Sequence, residues 1–194
     1  MTEEVKVSLE VSARHIHLSQ EHVDVLFGKD YQLTIKRELS VKGFYVASER
    51  VEVVGKKSSA NFGILTPLRS KTQVELAITD AVKLGIEAPV RMSGDLAGSG
   101  SCILRGPHGE VELQEGVIIA KRHIHMNDQK AKDLGIADHE DVCVKTEGER
   151  GVVFDNVTVR TDPAFDMTMH IDTDEGNAIG VNNKNLTYGV IIKK

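Results

Sequence analysis

The chain has 194 residues, no tryptophan and a net charge of −5, with acidic and basic residues mixed along its length. It contains no apolar run of membrane-spanning length, no signal peptide and no basic stripe with interleaved aromatic residues, so we expect neither a membrane nor a nucleic-acid partner. The two cysteines match no metal-binding or disulfide pattern, which favours a reducing compartment. Cys143 lies in an alternating run that predicts a small buried side chain.

The N-terminal segment predicts a strand followed by a short helix. Residues 5–13 alternate apolar and polar side chains and lead directly into Arg-His-Ile-His at 14–17. Ser19 is a natural N-cap for a helix with apolar side chains at helical spacing, and Gly28 ends it. The first His-x-His doublet is therefore expected between a strand and a capped helix.

The middle of the chain is typical of short strands separated by turns. Breaks occur at Gly43, Gly55 and Pro67 and in a glycine-rich loop at 94–100, and one turn of helix is expected over residues 80–85. The expected strands are residues 32–36, 50–54, 61–65, 72–78 and 101–105.

The order of elements in the first segment returns in the second half. A strand-like stretch at 112–120 leads into a second Arg-His-Ile-His at 122–125, which begins 108 residues after the first, and Asn127 and Gly135 bound a short helix. Further strands are expected at residues 141–147, 151–160, 166–171 and 188–192. The recurrence predicts a duplicated, mostly β fold with short helices, built as two pseudo-symmetric small β-barrels packed together.

The two His-x-His doublets are the strongest candidates for chemistry. On a strand, residues at i and i+2 point to the same face, so each doublet presents two imidazoles together, and imidazole is a ligand for zinc, copper, iron and nickel. Surface histidines at strand ends would not explain why the doublet recurs. We expect the histidines at 22, 108 and 139 to be solvated or to lie in turns.

Three residues could complete a metal and anion site. His170 forms a second same-face polar pair with Asp172 at the end of an alternating run, and Glu75 is a carboxylate within a strand pattern, where a charge is costly unless it is paired or coordinates a metal. Arg69 lies in a basic turn before that strand, and a guanidinium suits phosphate or carboxylate recognition.

Six blocks of the sequence together resemble the propanediol-utilisation type of phosphate propanoyltransferase, a metal-dependent phosphotransacylase family. The resemblance runs from about residue 5 to residue 178. The blocks that carry it are residues 11–20, 67–75, 93–98, 116–126, 148–151 and 169–175.

The resemblance implies an enzyme that interconverts acyl-CoA (propanoyl-CoA or acetyl-CoA) plus phosphate with acyl phosphate plus CoA. It implies that Arg69 binds phosphate and that Ser12, His170 and Asn177 lie near CoA. No cysteine lies in a motif that would supply a nucleophile, so we expect phosphate to attack the thioester directly. The implied ligands of two zinc ions are His15, His17, Glu75, His123, His125 and His170.

The resemblance also implies how the barrels are assembled. The N-terminal strand would contribute to the C-terminal barrel, giving a first barrel domain of residues 14–120 and a second of residues 1–13 plus 121–194. The two doublets would then be halves of one composite site at the seam of the barrels. Residues 179–194 match no part of the family pattern that we can place.

Two other functions fit the same ligands: a non-catalytic metal-binding module, and a dinuclear metallohydrolase that activates water instead of phosphate. The residues before the first motif lack the long amphipathic extension of members that enter bacterial microcompartments. We therefore expect a cytoplasmic enzyme, with recruitment to a microcompartment by a partner as the alternative. A homodimer is plausible.

Overall fold

The computed structural model of the protein describes residues 4–181 and 187–193. These residues form two compact units, the first from residues 13–120 and the second from the described parts of residues 1–12 and 121–194. Within the described residues, each unit contains a closed six-stranded β-barrel and two short helices. The prediction of a mostly β fold with two small barrels is confirmed.

The elements are numbered in chain order. The first half of the chain contains β1 (Lys6–Val11), β2 (His15–His17), α1 (Gln20–Phe27), β3 (Ile35–Glu38), β4 (Tyr45–Val54), β5 (Ser59–Thr66), β6 (Gln73–Glu75), α2 (Ile78–Leu84), β7 (Val90–Arg91), β8 (Gly100–Arg105) and β9 (Glu110–Ala120). The second half contains β10 (His123–Met126), α3 (Asp128–Leu134), β11 (Asp141–Thr146), β12 (Val153–Thr161), β13 (Thr168–Ile171), α4 (Thr173–Ala178) and β14 (Thr187–Ile192).

The barrel of the first unit closes through six strand pairs. Its order is β4, β5, β2, β6, β9 and β8, and β8 pairs back onto β4. Strands β3 and β7 attach to this ring at β4 and β9. Alternation along the strands sends side chains such as Ile16, Phe62, Ile64 and Val74 inward, where all four are fully buried.

The barrel of the second unit has the order β1, β13, β10, β12, β11 and β14, and it is closed. Its interior is filled by Val7, Ile124, Val159 and Met169, which are also fully buried. The strand β1 pairs in parallel with β13 and antiparallel with β14. The N-terminal strand therefore contributes to the barrel of the C-terminal half, as the resemblance implied.

The two rings have the same topology. In each, the His-x-His strand (β2 or β10) runs parallel to one neighbour (β5 or β12) and antiparallel to the other (β6 or β13). The next strand around the ring is β9 in one barrel and β1 in the other, each parallel to its neighbour. β1 directly precedes the doublet strand β2 in sequence but belongs to the second barrel. In the same way, β9 directly precedes β10 but belongs to the first barrel.

The structure corrects two predicted elements. The strand expected over residues 72–78 ends at Glu75, because its partner β2 is only three residues long, and α2 already begins at Ile78. Asp172 does not form a same-face pair with His170. It caps α4, where its carboxylate accepts a hydrogen bond from the backbone N–H of Glu175 at 2.8 Å.

Two side chains differ in burial from the sequence interpretation. Cys143 is half-exposed and directed away from the buried Val142 and Val144, because the alternation of β11 places the cysteine on the outer face. His22 is half-buried, and its Nδ1 lies 2.8 Å from Oγ1 of Thr72. Among the described residues, no helix is long and apolar enough to cross a membrane.

Candidate metal centres

The first candidate centre lies in the first unit, where an antiparallel strand pair brings two histidines to a carboxylate. His15 on β2 is the register partner of Glu75 on β6, and His17 lies two residues along the same face. Nε2 of His15 is 3.5 Å from Oε2 of Glu75, and Nε2 of His17 is 3.8 Å from Oε1. Possible ligand atoms of the three side chains lie within 4.8 Å of one another, close enough to share one metal ion.

The charges of this cluster are strongly coupled. Burial acts to raise the pKa of Glu75, but His15, His17 and Arg69 outweigh it and hold that pKa well below the ordinary value. Burial, followed by the nearby His15 and Arg69, lowers the pKa of His17 to about 3. Glu75 is therefore a carboxylate and His17 a neutral imidazole at neutral pH, the forms in which both donate to a metal.

Hydrogen bonds fix the orientation of two of these candidate ligands. Nδ1 of His15 lies 2.8 Å from the carbonyl oxygen of Ala13, which leaves Nε2 directed at Glu75. Oε1 of Glu75 accepts hydrogen bonds from Nε2 of Gln73 and, at 3.1 Å, from the hydroxyl of Ser93. The carboxylate is thus held by two neutral donors on its Oε1 side.

The second candidate centre lies in the second unit and consists of three histidines. His123 on β10 is the register partner of His170 on β13, and His125 follows on the same face. The ring centroids are 4.8 Å apart for His123 and His125, 5.3 Å for His123 and His170, and 4.6 Å for His125 and His170. Nδ1 of His123 lies 2.9 Å from the carbonyl oxygen of Lys121, repeating the arrangement at His15.

The two clusters occupy equivalent positions in the two barrels. Glu75 and His170 each lie opposite the first histidine of a doublet, on the antiparallel neighbour strand. The duplication therefore places an N, N, O donor set in one unit and an N, N, N set in the other. Both sets suit zinc and related transition metals.

Two buried nitrogens support metal binding. Nδ1 of His17 and Nδ1 of His125 are buried with no hydrogen-bond partner among the residues that the structure describes. Burial, followed by the neighbouring His170 and His123, lowers the pKa of His125 to about 2, so its ring is neutral. A buried imidazole nitrogen without a partner costs free energy, and a metal ion bound at Nδ1 would satisfy it. For His17 the other nitrogen, Nε2, faces Glu75 and is the alternative donor to a metal.

Arg69, the candidate anion-binding residue, is hydrogen-bonded to the surroundings of the first cluster. Its Nη1 donates a hydrogen bond of 3.0 Å to the hydroxyl of Ser93, which in turn donates to Glu75. Its backbone N–H donates to the carbonyl oxygen of Leu18 at 2.9 Å. A cationic guanidinium is thus linked through one serine to a candidate metal ligand.

Sequence reasoning gave no role to Ser93 or Gln73. Nε2 of Gln73 also donates to the Ser93 hydroxyl at 2.9 Å, and the Gly94 N–H donates to Oε1 of Gln73 at 2.8 Å. The available signals were the position of Gln73, two residues before Glu75 on a strand, and the glycine-rich loop that follows Ser93. Gln73 and Ser93 thus belong to the hydrogen-bond network around Glu75.

The residues that the resemblance implies for CoA lie in the second unit. The backbone N–H of Ser12 donates to the carbonyl oxygen of Ile171 at 2.8 Å, next to His170 in sequence. Asn177 is exposed on α4, the helix that follows β13. The local fold thus brings Ser12 to the strand that carries His170.

Comparisons with known proteins find similar sequences along nearly the whole chain. A family model described as phosphate propanoyltransferase matches residues 8–182. A phosphate propanoyltransferase of Listeria monocytogenes is 50% identical over 192 residues, which cover 98% of this chain and 89% of that protein. The proteins of the same name from Lachnoclostridium phytofermentans (49% identity; 89% of this chain and 81% of that protein) and Thermotoga maritima (46%; 92% and 86%) are also similar.

The family match covers every strand of both barrels except β14 and the first two residues of β1, and it includes both His-x-His doublets, Glu75, Arg69 and His170. Identities of this size over nearly the whole chain leave no large segment outside the relationship. The chain belongs to the phosphate propanoyltransferase family, a family of phosphate acyltransferases.

Proposed function

We propose that this protein catalyses the reversible reaction of propanoyl-CoA with phosphate to give propanoyl phosphate and CoA, and that it also accepts acetyl-CoA. The observation that carries the proposal is the link from Arg69 through Ser93 to Glu75, which sets an anion-binding group beside a candidate metal ligand. A hydrolase that activates water needs no such cation beside its metal, whereas a phosphate acyltransferase must bind an anionic nucleophile.

We propose that each cluster binds one zinc ion. His15, His17 and Glu75 would hold one ion, and His123, His125 and His170 the other, with three protein ligands and an open position for a reactant in each case. When bound, zinc supplies Lewis-acid polarisation of oxygen atoms and stabilises the negative charge that develops during acyl transfer.

The protein's own side chains bind and orient the reactants. The Arg69 guanidinium binds phosphate through paired hydrogen bonds and is itself held by Ser93. A phosphate oxygen attacks the thioester carbonyl carbon, the carbon–oxygen bond forms, and the carbon–sulfur bond breaks to release CoA as its thiolate, which then takes up a proton. We propose that Ser12, His170 and Asn177 contact CoA and fix the thioester for this attack.

Neither cysteine is placed to form an acyl-enzyme. Cys102 is buried in the core of the first barrel, and burial raises its pKa to about 12, so its thiol is not ionised at neutral pH. The Cys143 thiol donates a hydrogen bond of 3.3 Å to a carboxylate oxygen of Asp155 on the outer face of β11. Direct attack by phosphate is therefore the simplest mechanism.

The test is release of CoA from propanoyl-CoA by the zinc-loaded protein, measured with and without phosphate. We expect release to require phosphate and to be matched by an equal amount of propanoyl phosphate. Equal release without phosphate would identify a thioester hydrolase. Absence of turnover with propanoyl-CoA and acetyl-CoA would favour a metal-binding module, and a burst of CoA before phosphate is added would contradict direct attack.

The ionisation of His15 predicts how zinc binding to the first cluster depends on pH. Burial acts to lower the pKa of His15, but the Glu75 carboxylate outweighs it and raises that pKa. Below the raised pKa the ring carries a proton that must leave before its Nε2 can bind zinc, so zinc affinity should fall as the pH falls through this pKa.

Calorimetric titration of the metal-free protein in buffers with different ionisation enthalpies measures this proton release. We expect about one proton per ion at the first cluster below the pKa of His15, and none well above it. His17 provides an internal comparison, because a pKa of about 3 leaves it without a proton to release near neutrality. Zinc affinity at this cluster that does not change with pH would contradict the assignment of His15 as a ligand.

A further inference from the structure

An arginine immediately before each His-x-His doublet makes an ion pair with the helix that follows the third candidate ligand. Nη1 of Arg14 lies 2.6 Å from Oδ1 of Asp80 on α2. Nη1 of Arg122 lies 2.7 Å from Oε1 of Glu175 on α4. Both pairs are partly buried.

The two acids occupy the same position in the duplicated architecture. Asp80 is the third residue of α2 and follows Glu75 by five residues, and Glu175 is the third residue of α4 and follows His170 by five. The acid is an aspartate in the first unit and a glutamate in the second, so the side-chain length differs while the carboxylate is retained. What recurs in both units is therefore the ion pair between arginine and carboxylate.

The ion pairs lie where the strand ladder that holds the ligands stops. In each barrel the last register pair of the ladder is the ligand pair, His15 with Glu75 in one and His123 with His170 in the other. A terminal pair of a three-residue ladder is the one most free to separate. An ion pair just beyond it would hold the two ligand-bearing strands at a fixed spacing.

Each arginine is itself held in place from a second side. The Arg14 guanidinium lies over the ring of Phe62 on β5, 5.6 Å from the centroid, and that of Arg122 lies over Phe154 on β12 at 5.3 Å. Nε of Arg122 also donates to the carbonyl oxygen of Asp155 at 2.9 Å. Each arginine, placed directly before its His-x-His strand, therefore connects that strand with the parallel neighbour and with the helix after the third ligand.

We propose that Arg14–Asp80 and Arg122–Glu175 are two copies of one positioning device that sets the distance between metal ligands and so determines zinc affinity. The inference rests on the proposed function, because it takes the two clusters as zinc sites. These four residues contact no reactant in this proposal. They act through the strands that carry His15, Glu75, His123 and His170.

The experiment compares charge-removing with charge-keeping variants in the full-length protein. Asp80→Asn and Glu175→Gln keep a hydrogen-bond acceptor but remove the charge, whereas Asp80→Glu and Glu175→Asp exchange the acids that the two copies already use. Zinc affinity is measured by competition with a chelator, and ligand geometry by the d–d absorption of the cobalt-substituted protein. Glu52→Gln is the matched control, because it weakens an ion pair with Arg105 away from both clusters.

We expect Asp80→Asn and Glu175→Gln each to weaken zinc binding at one site by about tenfold and to alter the cobalt spectrum, as loss of groups that orient ligands does elsewhere. The exchanged acids and Glu52→Gln should stay within about twofold of the original affinity, and excess zinc should restore the activity of the neutral variants. Arg14→Gln combined with Asp80→Asn should lose no more affinity than either change alone.

Three results would overturn the inference. Unchanged zinc affinity and cobalt spectra in both neutral variants would show that the ion pairs do not position the ligands. A loss of zinc affinity in Asp80→Glu as large as that in Asp80→Asn would show that the site requires aspartate at this position, and that a carboxylate on a longer side chain does not suffice. An unaltered protein that binds no zinc would overturn the proposed metal sites, and this inference with them.

Discussion

Replacing Arg69 with alanine is expected to lower phosphate-dependent CoA release by about 100- to 1,000-fold while zinc content stays at its original level. The expectation follows from placement: Arg69 is linked to Glu75 through Ser93 and is not itself a metal ligand. Its guanidinium should stabilise both the bound phosphate and the transition state, so KM for phosphate should rise as kcat falls. Steady-state kinetics with varied phosphate, beside a metal assay of the same preparation, measures both quantities.

Two further variants sharpen this test. Arg69→Lys keeps the charge but loses the planar fork of donors, so it should retain more activity than the alanine variant and less than the original protein. Arg91→Ala removes an arginine of the same unit whose partner is Asp95 in an exposed ion pair, and it should change kinetics little. Near-normal activity in Arg69→Ala would show that phosphate binds elsewhere.

Replacing one histidine in each cluster should remove one zinc ion at a time. We expect His17→Gln and His125→Gln each to bind one equivalent of zinc where the original protein binds two, and each to lose most of its activity. The reason is that a site with two remaining protein ligands holds zinc much more weakly than one with three. Metal analysis after gel filtration, together with the turnover rate, measures the outcome.

The chain provides matched histidine controls. His108 and His139 are exposed and lie outside both clusters, so His108→Gln and His139→Gln should keep two zinc ions and full activity. Circular dichroism of all four variants separates metal loss from unfolding. Two equivalents of zinc in His17→Gln or in His125→Gln would remove that residue from the ligand set.

Much of the fold could be predicted because the chain carries the same signals twice. Alternating apolar residues before each doublet, a capping residue after it and a terminating glycine appear in both halves, and the structure contains β2, α1, β10 and α3 at these places. Glu75 and His170 were identifiable as polar residues in strand patterns. The structure adds that each of them is the register partner of the first histidine of a doublet, at equivalent positions in the two barrels.

The parts that could not be predicted depend on contacts distant in sequence. Ser93 lies 18 residues after Glu75 and 24 after Arg69 in sequence, and it reaches both through a loop whose path no local pattern specifies. Asp172 was grouped with His170 because the two-residue alternation of polar side chains continues past the end of β13 in the sequence. In the structure the strand ends at Ile171, and Asp172 is the N-cap of α4. Cys143 was interpreted as buried because an alternating run alone does not say which of its two faces is the core.

Some expectations concern properties that lie beyond the fold of each unit. The composite site at the seam of the barrels, the homodimer, and the cytoplasmic or microcompartment location stay predictions from the sequence and the family resemblance. Residues 179–194, which we could not place in the family pattern from the sequence, are for the most part covered by the Listeria monocytogenes relative, whose alignment takes in 98% of the chain. Residues 182–186 and 194 lie outside the described residues. Within 179–194, residues 187–192 form β14, which pairs with β1 and β11.

Removing zinc from the protein and then restoring it tests most directly whether zinc bound at the two clusters is required for acyl transfer to phosphate. The rate of propanoyl phosphate formation is followed while a chelator removes zinc from the protein and while zinc is added back. We expect the rate to fall by about two orders of magnitude in step with zinc content and to recover as both ions return. Full activity in protein shown to contain no zinc or other transition metal would contradict the proposal.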